Sequence, residues 1–228
     1  MSEVKHTHTE EGYEDDIKFK ILEASLPFVH EHGWSKTTIS AGAESLGYPG
    51  ITHGLFPRGG ADLVNHFQKR SNEKLVDSLK KRVLVAKPDS GRVIVQEAVK
   101  NRLEMIVPYL ARWPQAIAIM SLPQNVSTSL ATLLTMTDDI CYYAGDRSVD
   151  FNWYARRVAL AGLYKATELY LIQDTSPDFE KSWKFLDNRL AELSQVHNLV
   201  TKADAGGFGS ADAIKSAFTT ARNIIGLN

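Results

Sequence analysis

The sequence predicts an all-α protein, and three observations support this fold class. From Ile17 onward the apolar residues recur at spacings of three and four, the period of an amphipathic helix. No stretch alternates apolar and polar residues between turn signals, as a half-buried strand would. Hydrophobic residues make up 43% of the 228 residues and charged residues 23%, which is the composition of a globular protein with a buried core.

The chain is expected to open with a disordered acidic tail at residues 1–16, which holds six acidic residues and one lysine. The first helix follows, because Ile21, Leu22 and Val29 fall on one face and Gly33 stands where a glycine commonly ends a helix. The tail has neither the apolar core of a signal peptide nor the arginines of a transit peptide. Import into an organelle would therefore require that a targeting segment has been removed.

Residues 17–66 are predicted to form a helix-turn-helix head. Ser35 and its neighbours offer an N-cap for a second helix that ends near Leu46, and Pro49 begins a turn before a third short helix at residues 51–56. The segment ILEASLPFVHEHGWSKTTISAGAESLGYPGITHGLF resembles the DNA-binding head of TetR-type transcriptional regulators in its helix lengths and turn positions. The resemblance implies a TetR-family-like helical bundle and leaves a ligand-responsive transcriptional regulator as one candidate function.

The head is nevertheless poorly suited to reading DNA. The helix that would enter the major groove reads PGITHGLF and holds no Arg, Lys, Asn or Gln, the side chains that commonly bond to base edges. Each of its glycines weakens the helix by about 1 kcal/mol relative to alanine. The net charge of the whole chain is −1, so it offers no general attraction to phosphates. We therefore expect no nucleic-acid partner.

A helical body is predicted at residues 67–200. Apolar periodicity and prolines delimit its helices. They are expected over residues 61–87, 92–112, 149–174 and 177–197, with shorter helical segments between residues 113 and 144. In the first of these helices Leu75, Leu79 and Val83 are expected to face inward. Pro177 suits the first turn of the last one, with Ser176 as its cap.

A mobile, glycine-rich linker is predicted at residues 201–209, followed by an amphipathic helix in 210–228. On a flexible tether such a helix is suited to lie flat on a bilayer, although its apolar face would also suit packing on the body. The predicted membrane-binding residues form one stripe with a flanking isoleucine: Ile214, Phe218, Ala221, Ile225 and Ile224. No stretch approaches the roughly 18 uninterrupted apolar residues of a spanning helix, so any membrane contact is expected to be peripheral.

The sequence offers no recognisable catalytic set, and we expect a protein without enzymatic activity. Cys141 is the only cysteine, and no histidine lies between His66 and His197 to orient it as a nucleophile. The HExxH, Walker-type and GxSxG patterns do not occur. A single Glu-x-x-His match, at Glu3, is too few for a di-iron helical bundle. No metal site and no cofactor are predicted.

Six apolar or aromatic residues are candidates for binding a lipid. A helical body rich in large apolar side chains suits either a solid core or a cavity for an apolar ligand. The sequence alone leaves both alternatives open. The six candidates are Leu122, Leu130, Leu134, Leu160, Leu163 and Tyr164.

One face at the start of the predicted helix 149–174 is typical of a protein interface. Four of its residues recur at spacings of three and four and therefore share one side of the helix. Trp, Tyr and Arg are the residue types that dominate interface hot spots, and a core stripe would rarely include both Asp and Arg. The predicted partner-binding residues are Asp150, Trp153, Tyr154 and Arg157.

Several segments together resemble one known family. They are DFNWYARR, DDICYYAGDRS, SPDFEKSWKFLDNRL and GAESLG. Over about residues 17 to 228 the chain is similar to the TetR-like lipid-binding accessory proteins of coenzyme Q (ubiquinone) biosynthesis. The partner-binding aromatic pair of that family matches Trp153 and Tyr154. Its membrane helix matches Ser210 to Ile225, with Lys215 standing where an apolar residue is more usual.

The resemblance implies a function as well as a fold. It implies a homodimeric, non-enzymatic protein that lies peripherally on the matrix side of the mitochondrial inner membrane. Such a protein binds isoprenoid quinone intermediates or other lipids in an apolar cavity and presents them to the di-iron demethoxyubiquinone hydroxylase. Because a polyprenyl quinone is nearly insoluble in water, a cavity that shelters its tail would lower the cost of lifting it from the bilayer.

Overall fold

The chain is helical throughout the part that the structure describes. The computed structural model describes the backbone of residues 10–85, 91–145 and 151–205, and the side chains of residues 12–84, 91–145, 154 and 156–193. These ranges contain nine α-helices and no strand, which confirms the all-α prediction. The helices are α1 (Glu10–Ser25), α2 (Val29–His32), α3 (Lys36–Ser45), α4 (Gly60–Val85), α5 (Gly91–Glu104), α6 (Trp113–Ser121), α7 (Pro123–Tyr143), α8 (Phe151–Gln173) and α9 (Glu180–Ala205). Short 3-10 helices lie at Leu26–Phe28, Gly50–Leu55, Val107–Arg112 and Pro177–Phe179.

The chain divides into two compact units, which we name the head and the body. The head comprises Met1–Arg70 and Tyr109–Ser129, and the body comprises Ser71–Pro108 and Leu130–Asn228. The first head segment ends at Arg70, whereas the sequence analysis divided head and body between residues 66 and 67. The segment Tyr109–Ser129 belongs to the head, however, whereas the sequence analysis placed it in the body.

An aromatic cluster explains why the second head segment belongs there. The indole of Trp34 packs edge-on against Phe67 and Trp113, with ring centroids 5.6 and 5.7 Å away. The ring of Tyr109 lies 5.2 Å from that of Phe67. The side chain of Gln115 accepts a hydrogen bond from the backbone N–H of Trp34 at 2.9 Å. These partners are far apart in the sequence, so no local pattern signals their contact.

Local signals in the head are confirmed where they concern helix ends. Gly33, at a φ of 65°, ends a helix as predicted, but that helix is the short α2. The first helix, predicted to be continuous up to Gly33, is divided into α1, the 3-10 helix Leu26–Phe28 and α2. Ser35 caps α3, because its hydroxyl accepts a hydrogen bond from the N–H of Thr38 at 3.2 Å. Within α3, a Cβ on Gly42 would come within 2.7 Å of the backbone of Ser25. The end of α1 therefore packs on α3 at a distance that only glycine permits.

The predicted acidic tail is too long, because α1 begins at Glu10 and residues 10–16 are helical. Acidic side chains near the first turn of a helix interact favourably with its dipole. The acidic charge from which the sequence analysis predicted disorder therefore favours the start of a helix here. Lys18 also pairs with Glu14 one turn earlier, at 2.5 Å. Residues 1–9 lie outside the described part of the chain.

Two helices of the body have ends that differ from the predicted ones. The helix predicted over 92–112 ends as α5 at Glu104, because the ring of Pro108 would clash with the Glu104 carbonyl in a continued helix. α9 continues through Ala205, so residues 201–205 of the predicted linker are helical. The rest of the linker lies outside the described residues.

The body has an apolar core to which five of its helices contribute. Val83, predicted to face inward, is instead 49% exposed near the end of α4. Full burial of a large apolar side chain is worth about 1.5–3 kcal/mol, so this core is a main source of stability. Its buried apolar members include Leu75, Leu79, Ala98, Val99, Leu103, Ile106, Met136, Ile140, Leu160, Ala161, Leu163, Leu171, Leu186 and Leu190.

Candidate functional site

The predicted partner-binding face is exposed at one of its aromatic residues. The side chain of Tyr154, in the first turn of α8, is 57% exposed. Val158 follows one turn later on the same face and is 50% exposed, so it extends this surface. The sequence analysis missed Val158, although its spacing from Tyr154 would have indicated it. Asp150 and the side chain of Trp153 lie outside the described residues.

The structure does not bring Arg157 to this exposed face. Its side chain is 6% exposed, and its Nε donates a hydrogen bond to Oδ1 of Asp138 in α7 at 2.5 Å. Arg157 is therefore a structural residue that joins α7 to α8. The side chain of its partner Asp138 is 51% exposed. Burial, and then the nearby negative charge of Asp138, raise the pKa of the neighbouring Asp139.

The six predicted lipid-binding residues do not form one set. Leu160 is 5% exposed and Leu163 is fully buried in the body, and Leu134 of α7 is half-buried. Leu130 is 52% exposed. Leu122 belongs to the head and is 43% exposed. The buried members have the environment expected of either a core or a cavity lining.

Tyr164, the sixth predicted lipid-binding residue, lies in a polar region of the buried body. Its side chain is 2% exposed, and burial raises the pKa of its hydroxyl. The nearby charge of Arg102 lowers that pKa and the charge of Glu168 raises it. Arg102 and Glu168 have no exposed surface of their own. Charged side chains buried this deeply are unusual in a protein core.

Three hydrogen bonds surround these buried charges. Nε of Arg102 donates to Oδ1 of Asn72 at 3.0 Å, and Nδ2 of Asn72 donates to the carbonyl of Thr132 at 3.1 Å. Glu168 accepts from Nζ of Lys165 at 2.7 Å. The sequence contained a signal for Arg102, since it follows the buried Ala98 by four residues and must share its face.

The segment of the head that would read DNA is a 3-10 helix over Gly50–Leu55. Its polar side chains bond to their own backbone: the hydroxyl of Thr52 donates to Pro49, and Nδ1 of His53 lies 2.9 Å from the carbonyl of Gly50. Its most exposed large apolar residue, Ile51, is 79% exposed and has no group that could bond to a base edge. This geometry is poorly suited to the recognition of a DNA sequence.

The histidine of this segment lies near a serine of α3. Oγ of Ser40 lies 3.2 Å from Nδ1 of His53, a distance compatible with a nucleophile and its base. Both groups, however, contact the carbonyl of Gly50, at 3.1 and 2.9 Å. If Nδ1 carries the proton that bonds to this carbonyl, it cannot accept the serine proton. The pair therefore serves to hold the turn.

Among residues 10–85, 91–145 and 151–205, no cluster of three or more His, Cys, Asp or Glu side chains could hold a metal ion. None of the helices in this part of the chain is both long and apolar enough to cross a bilayer. The predicted membrane-binding residues Ile214, Phe218, Ala221, Ile224 and Ile225 lie outside the described residues.

The fold defines an all-helical protein with a body that is apolar inside and a head in which α1, α2, α3 and the 3-10 helix Gly50–Leu55 follow in that order. The pattern of the family described as COQ9 matches residues 126–197, and that of "Ubiquinone biosynthesis protein COQ9, N-terminal domain" matches residues 14–44. The chain belongs to the COQ9 family of ubiquinone biosynthesis proteins.

Similarity to individual relatives extends over nearly the whole chain. The chain is 46% identical over 220 residues to "Ubiquinone biosynthesis protein COQ9, mitochondrial" of Drosophila melanogaster, and this alignment covers 93% of the chain and 66% of the relative. The proteins of the same name from Rattus norvegicus and Homo sapiens are 39% and 38% identical over 226 residues. Those alignments cover 96% of this chain and 72% and 71% of the two relatives.

Proposed function

We propose that this chain is a non-enzymatic lipid-binding protein of ubiquinone biosynthesis in mitochondria. It binds isoprenoid quinone intermediates at the matrix side of the inner membrane, as a peripheral homodimer, and presents them to the di-iron demethoxyubiquinone hydroxylase. The observation that carries this proposal is the similarity, over 96% of the chain, to proteins named mitochondrial ubiquinone biosynthesis proteins.

The body supports lipid binding through its chemistry. A polyprenyl tail leaves the bilayer only for another apolar environment, and transferring it through water costs about 0.8 kcal/mol for each CH₂ group. Leu160 and Leu163 of α8 are buried, and Leu134 of α7 is half-buried, in this apolar unit. We assign these three residues and Tyr164 to the lining of the lipid site. Leu122 and Leu130 are too exposed to belong to it.

The start of α8 supports presentation to a partner enzyme. Tyr154 and Val158 expose an aromatic and an aliphatic side chain on one face of the helix, a combination suited to the desolvated centre of an interface. Trp153 is adjacent in the sequence and has the residue type most enriched in hot spots. We therefore place the hydroxylase contact on Trp153, Tyr154 and Val158, and we leave Arg157 out of it because it is buried.

The partner contact is tested by changing Tyr154 to Lys and, separately, Trp153 to Lys. Each substitution places a strongly hydrated charge in an interface that must lose water, so affinity for the purified hydroxylase should fall about 30-fold, which corresponds to a hot spot of about 2 kcal/mol. Affinity is measured by biosensor capture on full-length protein, with far-UV circular dichroism to show that the helices remain.

Tyr13→Lys is the matched control, because Tyr13 belongs to the head and its side chain is 66% exposed. This variant should bind the hydroxylase like the unchanged protein. Wild-type affinity in both Trp153→Lys and Tyr154→Lys would remove the partner surface from the proposal.

A further inference from the structure

The hydroxyl of Tyr164 is a buried polar group that none of the described residues satisfies. Its side chain is 2% exposed, and its oxygen has no hydrogen-bond partner among the described residues. Buried hydroxyls in native proteins almost always have a partner. If Tyr164 only filled space in the core, phenylalanine would do so without a buried polar atom. The hydroxyl is therefore available to bond to a group outside the described residues, such as a bound ligand.

The environment of this hydroxyl makes it a hydrogen-bond donor. A phenol hydroxyl, with an ordinary pKa of about 10, carries its proton at neutral pH. Burial raises the pKa of Tyr164 further. The positive charge of Arg102 acts on the same site, and the contact of Arg102 with Asn72 fixes the guanidinium in place. The negative charge of Glu168 is partly balanced by Lys165, 2.7 Å away. A hydrogen-bond donor such as the Tyr164 hydroxyl, under the positive charge of Arg102, is suited to bind an electron-rich oxygen of a ligand.

We propose that Tyr164 and Arg102 form a polar anchor inside the body, at which the Tyr164 hydroxyl donates a hydrogen bond to an acceptor oxygen of the bound lipid. This inference rests on the proposed lipid binding and adds to it the chemical feature that the lipid must carry. Tyr164 bonds to the oxygen directly, and Arg102 is a positioning residue that favours negative charge there.

The neighbours of Tyr164 indicate how such a lipid would lie. Leu163 is adjacent in α8, and Leu160 precedes Tyr164 by one turn; both are buried. A molecule with an oxygen-bearing head and a hydrocarbon tail would place the oxygen at the hydroxyl and the tail along these leucines. Two lipid classes carry the required oxygen: isoprenoid quinones have ring carbonyls, and phospholipids have ester and phosphate oxygens.

The test compares full-length wild-type protein with Tyr164→Phe, which removes the hydroxyl and little else. Three probes are titrated: a ubiquinone with two isoprene units, a short-chain phosphatidylglycerol, and an isoprenoid hydrocarbon without oxygen. Dissociation constants come from quenching of tryptophan fluorescence and from calorimetry. Tyr170→Phe is the matched control, since Tyr170 lies on the same helix, is 38% exposed and stacks on Phe185.

In Tyr164→Phe, we expect about tenfold weaker binding of one oxygen-bearing probe and unchanged binding of the hydrocarbon. The probe that loses affinity identifies the class of lipid. Tyr170→Phe should leave the dissociation constants of all three probes unchanged. The C=O stretch of the bound quinone or ester should also move to higher frequency in Tyr164→Phe, because the carbonyl loses a hydrogen bond.

Equal dissociation constants for all three probes in Tyr164→Phe and wild type would overturn the anchor while leaving lipid binding in place. Wild-type protein that binds none of the probes would overturn the anchor together with the proposed lipid-binding function. The thermal midpoint of Tyr164→Phe should equal or exceed that of wild type, since the substitution removes an unsatisfied buried group.

Discussion

Single residues decide how the turn between α8 and α9 is built. Ser176 is the N-cap residue of the 3-10 helix Pro177–Phe179, as predicted, and its hydroxyl accepts a hydrogen bond from the N–H of Lys181 at 3.2 Å. The sequence analysis missed Asp174, whose carboxylate accepts hydrogen bonds from the N–H and the hydroxyl of Ser176, at 2.8 and 2.6 Å, and from those of Ser182, at the same two distances. This turn contains Asp178 and Phe179 with φ angles of 51° and 57°. The capping of α3 by Ser35 is local and could be predicted, whereas the bond from Ser182 to Asp174 spans eight residues.

Asp174→Asn should lower the thermal midpoint at neutral pH. Four hydrogen bonds lower the pKa of the Asp174 carboxyl despite its partial desolvation. A carboxyl whose pKa is lower in the folded state contributes stability above its unfolded pKa, near 3.9, and loses it as the pH falls toward the folded value. The difference in stability between wild type and variant should therefore be full at pH 7 and shrink below about pH 4.

Glu180→Gln is the control for this experiment, because it removes the same charge from the first turn of α9. Its effect should be smaller than that of Asp174→Asn when both are measured by urea unfolding across the pH range. A stability difference for Asp174→Asn that stays constant down to pH 3 would contradict the role of the ionised carboxylate.

At the scale of helices, the apolar periodicity was sufficient to predict that a helix exists but not the residue at which it ends. The helix predicted over 61–87 corresponds to α4, Gly60–Val85, because its apolar spacing is regular and a proline follows. α5 ends earlier than predicted because Pro108 acts on the turn that precedes it. The predicted interface residues show the same limit. Spacing placed Arg157 on the face of Tyr154, but its pairing with Asp138 of another helix determines its burial.

The C-terminal amphipathic helix remains a prediction, and its apolar stripe can be tested directly. The double variant Ile214→Glu and Phe218→Glu places two charges where the helix should enter the bilayer, so flotation of full-length protein with anionic liposomes should be largely lost. The control is Ser216→Glu with Asn223→Glu, which adds the same charge to the opposite face.

The control should retain most of the flotation, because its charges stay in water. Equal loss in both double variants would indicate that charge repulsion by the anionic lipid, and not insertion of the stripe, controls binding. Undiminished flotation of the Ile214 and Phe218 variant would contradict membrane binding by this helix.

At the scale of the molecule, the sequence indicated the fold class and the family but not which parts of the chain belong together. The segment Tyr109–Ser129 joins the head through contacts of Trp113 and Gln115 with Trp34, which local periodicity cannot reveal. For the same reason, the sequence analysis grouped Leu122, which belongs to the head, with lipid-binding candidates of the body. Burial of Leu160 and Leu163 could be predicted from helical spacing, since both fall on the apolar side of α8.

The central claim is that the body shelters an isoprenoid lipid, and lipid extraction from gently purified full-length protein tests it most directly. The extract is analysed by mass spectrometry beside that of the Ile214→Glu, Phe218→Glu variant, whose reduced membrane binding excludes carry-over of bilayer lipid. The account predicts isoprenoid lipid at about one molecule per chain in both preparations. Protein that is folded yet free of isoprenoid lipid in both preparations would contradict it.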